Sequence, residues 1–178
     1  MNIFCLDESP LLAAQQHCNV HVVKMIVESA QMLSTAHRVL DGRKHVHIVN
    51  DRKKTDWLHS NDSLYKAAHV NHPSSIWTRE SAANYQWHYE LFCALCDEYT
   101  FRYNKVHATD TKLRKVLGDL PKQFPAVGRT PFRLAMKSNP ECMDESDPVT
   151  SYRKFYQTKN DKFKMVWTGR QKPSWFVV

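Results

Sequence analysis

Four ionisable side chains near the amino terminus are spaced as neighbours on one helix face. His17, His21, Lys24 and Glu28 follow one another at intervals of three or four residues. This spacing stacks side chains along one side of an α-helix. Together they supply the groups that break an N-glycosidic bond through an imine: an amine to attack the sugar C1′, and a carboxylate and imidazoles to move protons. The α-amine of Met1 is the second candidate nucleophile.

A solvated helix face is the competing interpretation of the same residues. Lys24 and Glu28 would then form a surface pair worth a few tenths of a kcal/mol. The density of histidine favours an active cleft, because two histidines one turn apart are unusual on a face that is merely solvated. Both interpretations stay open at this point.

These side chains belong to a long helix that the apolar periodicity predicts over residues 13–40, with a break near Asn19. Its apolar stripe recurs at a helical period (Val22, Ile26, Ala30, Leu33, Ala36, Leu40). We expect the helix to end at Asp41 and Gly42, with Gly42 in the left-handed conformation that helix ends favour.

A second long helix is predicted to run from Ser74 or Ser75, as its N-cap, to about His107. Its wide apolar and aromatic face should pack on the first helix. Shorter helices are expected over residues 10–17, 63–68 and 109–120, and a short strand within residues 45–49. Residues 50–62 and 121–147 are predicted to be loops.

The composition favours a mainly α protein. The chain has 178 residues with only four glycines, and it shows no series of alternating strands. We therefore predict a single compact helical domain over residues 1–178, built on two long helices, with long loops and a basic C-terminal tail.

A net charge of +7 and many aromatic residues are typical of proteins that bind polyanions. We expect the partner to be DNA, in duplex form. Cations would bridge phosphates and aromatic rings would stack on unpaired bases. The candidate contact residues are Arg38, Trp77, Arg79, Asn84, Tyr85, Arg153, Lys154, Arg170 and Trp175. The alternative places the aromatic residues in the core and packs the basic tail on the body.

An odd number of cysteines, five, favours reduced thiols and a cytoplasmic setting. His17, Cys18 and His21 lie within one helical turn, and Cys93 and Cys96 have a two-residue spacing. The second pair lies within an apolar helical pattern, so we expect no metal and no cofactor. No apolar run approaches the roughly 20 residues of a membrane span, the start lacks a signal-peptide pattern, and we expect a monomer.

Three features resemble the small phage-type pyrimidine-dimer DNA glycosylases that also have AP-lyase activity. A short arm leads into a helix that starts Ala14-Gln15-Gln16-His17. The second helix ends in an R-Y-x-K-x-H run, and the chain closes on a basic aromatic tail with the pattern P-x-W. The chain is also similar to small phage proteins that share the N-I-F-x-L-D and H-C-x-x-H-V-V-K-M patterns, which imply no chemistry.

The glycosylase resemblance implies a base-excision enzyme that acts on damaged or modified DNA in the host cytoplasm, through an amine nucleophile. This chain departs from the family at two points. Asn2 should hinder removal of Met1, so the amine would be that of Met1 itself. Lys24 stands where the family has its catalytic glutamate, so Glu28 would act from the next turn.

Two further functions use the same residues. The first is a protein that binds nucleic acid without catalysis, and the second is an enzyme that modifies nucleotides in a basic, phosphate-binding pocket. Trapping of a covalent imine between DNA and protein would separate the glycosylase hypothesis from both of these alternatives.

Overall fold

In the computed structural model, which describes residues 1–177, six α-helices form the body and one small two-stranded sheet projects from it. The helices are α1 (Pro10–Gln16), α2 (Asn19–Leu40), α3 (Pro73–Glu80), α4 (Ala82–Tyr103), α5 (Ala108–Gly118) and α6 (Pro148–Gln157). Strands β1 (Arg43–Val49) and β2 (Arg52–Leu58) form an antiparallel hairpin. Short 3-10 turns cover Pro140–Cys142 and Thr158–Asp161. The mainly α prediction is confirmed.

Helices α2 and α4 form the centre of the packing: they contact each other, both contact α3 and α5, and α1 packs on α4. The residues that precede α1 are buried as well, with Leu6 fully covered beside core residues such as Ile26, Leu33 and Phe92. Because the amino-terminal segment is enclosed on several sides, its first residue is held in a fixed place against α2.

Both predicted long helices are interrupted. The break expected near Asn19 falls at His17 and Cys18, between α1 and α2. The second predicted helix divides at Ser81, whose backbone is extended and whose hydroxyl accepts the amide hydrogen of Asn84. A serine that caps a new helix therefore ends the previous one. Helix α3 is capped by His72 rather than by Ser74 or Ser75.

Residues 52–58 form a strand, so the loop predicted there was wrong. Strand β2 begins with Arg52, Lys53 and Lys54 and also contains Asp56; lysine and aspartate are depleted in strands, so the composition did not indicate this one. The short helix predicted over residues 63–68 is absent from the described structure. Both faces of the β1–β2 hairpin are largely exposed, so packing on the body contributes little to its stability.

Gly42 joins α2 to the hairpin, and the reason for a glycine differs from the one we predicted. Gly42 is not among the described residues with positive φ. A Cβ at this position would instead lie 2.3 Å from the carbonyl oxygen of Arg38 and 2.4 Å from that of Leu58. The close approach of the hairpin base to the end of α2 therefore requires a residue without a side chain.

An enclosed ion pair fastens α4 to the junction of α1 and α2. The Arg102 guanidinium donates to the carbonyl oxygens of His17 and Gln15, at 2.8 and 3.1 Å, and to the carboxylate of Glu98 at 3.0 Å. The side chain of Arg102 is 0% exposed. It satisfies carbonyls that the end of α1 leaves without helical partners.

Candidate functional site

The carboxylate of Glu28 lies between two amines on the surface of α2. Its Oε2 atom is 3.7 Å from the α-amine of Met1, and its Oε1 atom is 3.4 Å from Nζ of Lys24. The backbone amide of Asn2 also donates to Oε2, at 2.9 Å. The structure thus brings together three of the five predicted catalytic residues.

The side chain of Met1 is buried, and the α-amine of the residue faces solvent. Only 4% of the Met1 side chain is exposed, whereas the whole residue is partly exposed. The accessible part must therefore be the main-chain end that carries the amine. Asn2 fixes that end, because its side chain donates to the Ala135 carbonyl at 3.0 Å and accepts from the Ser74 hydroxyl at 3.4 Å.

His72 is a fourth group at this position, and sequence reasoning missed it. Burial lowers its pKa below the ordinary value, the positive α-amine of Met1 and His69 lower it further, and Glu28 opposes the shift. His72 therefore lies within electrostatic range of both the amine and the carboxylate. Its Nδ1 accepts the Ser74 amide hydrogen at 3.2 Å, which leaves the neutral ring with its proton on Nε2. The His-Pro-Ser sequence indicated a helix start and gave no sign of this neighbourhood.

Lysines flank the same surface. Lys159 has a pKa below the ordinary value, first through burial, then through the like charge of Lys162, with a contribution from Lys24. The side chain of Lys24 is 60% exposed, and Lys162 is exposed as well. Lys159 therefore lies within electrostatic range of both Lys24 and Lys162, and Lys24 in turn pairs with Glu28. Such a group of lysines attracts phosphate.

His17 and His21 do not lie in a water-accessible cleft, which corrects our expectation for them. His17 is fully buried, and its Nδ1 donates to the Ala13 carbonyl at 2.7 Å. His21 is 4% exposed and stacks on Phe4 with a centroid distance of 4.8 Å. Burial is the main cause that lowers their pKa values to about 4 and about 3. The amino-terminal segment covers both rings, so neither reaches solvent.

We predict steep acid destabilisation from these buried imidazoles and from His88, whose pKa burial lowers to about 3. The unfolded chain binds protons near pH 6.5, whereas the folded rings do so only near pH 3–4. The contribution of these three neutral rings to the free energy of unfolding is therefore fully present above about pH 6.5, and it is lost as the pH falls toward about 4. Each ring should cost about 2 kcal/mol of unfolding free energy between pH 6.5 and pH 5. Urea titrations at several pH values measure this loss.

His88→Gln is the informative variant, since a glutamine amide can still donate to Thr78 as the ring does. It should show a shallower loss of stability with acid than the wild type. His69→Gln, at an exposed position, should keep the wild-type slope. Equal slopes in all three proteins would contradict the prediction.

Three of the predicted nucleic-acid contacts are core residues. Trp77 and Tyr85 are 1% and 0% exposed, and Asn84 is 0% exposed. The Trp77 indole donates to the Thr130 carbonyl at 3.2 Å, and the Asn84 amide donates to the Trp77 carbonyl at 2.8 Å. These rings cannot stack on a base, which corrects our assignment. Trp77 and Tyr85 are core residues, as the alternative interpretation of the aromatic residues predicted.

The predicted arginine contacts are also occupied within the protein. Arg38 donates to the carbonyls of Trp57, Leu64 and Tyr65. The others bond Val70 (Arg79), Leu6 and Asp7 (Arg153) and Glu98 (Arg170). The Trp175 indole donates to Gln16 at 2.7 Å. Of the nine predicted contacts, Lys154 alone is exposed, and the other eight are buried or half-buried.

The hairpin offers the exposed cations that the predicted list lacked. Arg43, Lys44, Arg52, Lys53 and Lys54 are all exposed on it. The pairs Val46–Thr55 and Ile48–Lys53 share one face, and the pairs His47–Lys54 and Val49–Arg52 share the other. A two-stranded ribbon has the dimensions that fit a DNA major groove.

No family model, curated protein or solved structure matches this chain. Among residues 1–177, no helix combines the length and the apolar character that crossing a membrane requires. The function must therefore be inferred from the geometry of the site.

Proposed function

We propose that this protein is a DNA-acting base-excision enzyme, an N-glycosylase with an AP-lyase step, whose nucleophile is the α-amine of Met1. One observation carries the proposal: the α-amine lies 3.7 Å from the Glu28 carboxylate, at the exposed end of an otherwise buried segment. An amine beside a carboxylate is the minimum set for imine chemistry at a sugar carbon.

In the proposed reaction, the neutral amine attacks C1′ of the target nucleotide. The bond from C1′ to the base breaks, and the base leaves with the bonding electron pair and one of the two amine protons, which Glu28 carries to it. Glu28 then transfers the second amine proton to the ring oxygen O4′ as the C1′–O4′ bond breaks, which gives an imine between Met1 and C1′. Removal of a C2′ proton then expels the 3′ phosphate, and water hydrolyses the imine to release the enzyme.

The α-amine is a better candidate than Lys24 for this role. An ordinary α-amine is neutral in a far larger fraction near pH 8 than an ordinary lysine amine. The side chain of Lys24 is 60% exposed and its amine already pairs with Glu28 at 3.4 Å. Lys24, Lys159 and Lys162 are better suited to holding the phosphates that flank an extruded nucleotide.

The residues of the proposed site come from two parts of the chain. The long helix α2 carries Lys24 and Glu28, and the basic C-terminal region contributes Lys159 and Lys162. DNA would lie across this surface, with the enzyme acting as a monomer. All five cysteines are free thiols, which supports a cytoplasmic setting.

Borohydride trapping tests this proposal. An intact mass first establishes that Met1 is the first residue. The protein is then incubated with a duplex containing an abasic site and reduced. We expect a stable covalent adduct, which peptide mapping assigns to Met1. No adduct, or an adduct at Lys24 or another lysine, would refute the α-amine mechanism.

A non-catalytic nucleic-acid-binding protein is the second candidate, and the exposed basic hairpin favours it. Lys53→Glu together with Lys54→Glu should then weaken duplex binding, while the wild type forms no adduct on any abasic or lesion-bearing duplex. Under the enzymatic proposal, the same double variant keeps Met1 and Glu28 and still forms the adduct at high protein concentration.

A further inference from the structure

A second cluster of ionisable groups lies at the other end of α2. His37 is in the last turn of the helix, Asp41 follows it, and His59 comes directly after β2. One ligand atom from each of the three lies within 4.8 Å of the others. We propose that His37, Asp41 and His59 bind a divalent transition-metal ion of the zinc class, which clamps the base of the β1–β2 hairpin to α2.

Two polar groups lie at the His37 ring, the Tyr85 hydroxyl and the backbone of Asp119, and a metal ion on the ring nitrogen that faces away from Tyr85 would replace the Asp119 contact. The Tyr85 hydroxyl donates its only hydrogen to the Leu117 carbonyl at 2.9 Å. It must therefore accept from Nε2 of His37, which lies 2.8 Å away. The neutral ring then has a lone pair on Nδ1 and none on Nε2. A histidine whose second nitrogen donates to a buried partner is the usual arrangement of a metal ligand.

Asp41 is held in place by the loop after α5. Its carboxylate accepts the amide hydrogens of Lys122, at 3.0 and 2.8 Å to the two oxygens, and of Gln123 at 3.1 Å. A carboxylate has about four lone-pair positions, so it can still bind a cation. The amide bonds fix its direction in the way that outer-shell partners orient ligating carboxylates.

His59 is the adjustable member of the cluster. It is partly exposed, and its Nδ1 accepts the Asn61 amide hydrogen at 3.0 Å. Metal binding replaces that hydrogen bond as the ring turns. Ligand atoms around tetrahedral zinc are roughly 3.4 Å apart, from metal–ligand distances near 2.1 Å. The ligand atoms are at most 4.8 Å apart, so the site must contract by up to about 1.4 Å, and the partly exposed His59 provides most of that movement.

The donor set and the surrounding space indicate the kind of ion. Two imidazoles and one carboxylate suit zinc and its neighbours in the first transition row better than magnesium or calcium. The cluster borders a cavity of about 360 Å³, which Asn61, Asp119, Lys122 and Gln123 also line. The cavity leaves room for a water molecule or a further donor as the fourth ligand.

The position of the cluster explains what the ion would do. Asp41 precedes β1 and His59 follows β2, so these two residues flank the hairpin on both sides. An isolated two-stranded hairpin is marginally stable in water, and this one is exposed on both faces. An ion that joins both of its ends to the buried His37 would fix the angle at which its cations are presented.

Zinc titration of the metal-stripped protein tests the proposal without DNA, so its failure would leave the glycosylase proposal standing. We expect one zinc ion per chain with a dissociation constant in the micromolar range or tighter. Asp41→Ala and His59→Ala should each weaken binding at least tenfold. His47→Ala is the matched control, because His47 lies on the same hairpin and pairs with Asp56 at 3.5 Å; it should bind zinc as the wild type does.

Limited trypsin digestion gives an independent readout at Arg43, Lys44, Arg52, Lys53 and Lys54. Zinc should slow cleavage at these sites at least several-fold in the wild type and in His47→Ala, and should leave His59→Ala unchanged. Absence of stoichiometric binding would overturn the proposal. So would loss of binding in His47→Ala with retention in His59→Ala, because the ion would then lie on the hairpin itself.

Discussion

Replacement of Glu28 by glutamine is expected to slow formation of the trapped imine at an abasic site by about 100-fold or more, the usual contribution of a positioned general base. Glutamine has nearly the same shape, and its amide oxygen can still accept the Asn2 amide hydrogen that Glu28 accepts at 2.9 Å. It cannot take a proton from the α-amine of Met1. Single-turnover trapping at several times, on one duplex, measures the ratio of the two rates.

Two further variants isolate the role of the carboxylate. Glu90→Gln changes an exposed carboxylate on α4 that accepts only from Gln86 and should react as the wild type does. An extension of two residues before Met1 moves the amine by up to about 7 Å and should abolish trapping although Glu28 is unchanged. Wild-type rates in Glu28→Gln would reduce Glu28 to a structural anchor for the amino terminus.

Arg102→Met should destabilise the protein by about 3–5 kcal/mol, the range for removal of one partner from a buried ion pair. The change leaves Glu98, whose side chain is 4% exposed, with Arg170 as its remaining partner. It also strips a donor from the carbonyls of Gln15 and His17. At this chain length the midpoint of thermal unfolding should fall by roughly 10 °C.

Arg133→Met is the comparison for that effect. Arg133 pairs with Glu80, but its side chain is 47% exposed, and such pairs contribute about 1 kcal/mol or less. Urea titrations of both variants at about pH 7 compare the two losses directly. Similar losses would mean that the enclosed position of Arg102 adds nothing beyond an ordinary surface pair.

Features that depend on neighbouring residues in the chain could be predicted from the sequence. The apolar periodicity of α2 reflects contacts within and along one helix, and the Lys24–Glu28 pair follows from helical geometry, since residues four apart are neighbours on the helix surface. Each of these features depends on residues close together in the chain. The mainly α fold was predictable for the same reason.

The burial of individual polar residues was not predictable from their spacing. His21, Thr35 and Arg38 lie on α2 at helical spacing from Lys24 and Glu28, yet they are buried. A helical wheel gives the direction of a side chain and not what covers it. Here the amino-terminal segment covers His21, and the loop that follows the hairpin supplies the carbonyls that Arg38 binds.

The tertiary structure alone decided both proposed sites. The α-amine of Met1 meets Glu28 across 27 positions of sequence, and His59 meets His37 across 22. The two residues of each pair are far apart in the chain, and only the folded chain brings them together. Local sequence preferences do not encode such distant pairings. The sequence by itself determined the mainly α fold and the pairing of Lys24 with Glu28, while packing determined which amine and which histidines reach a common point.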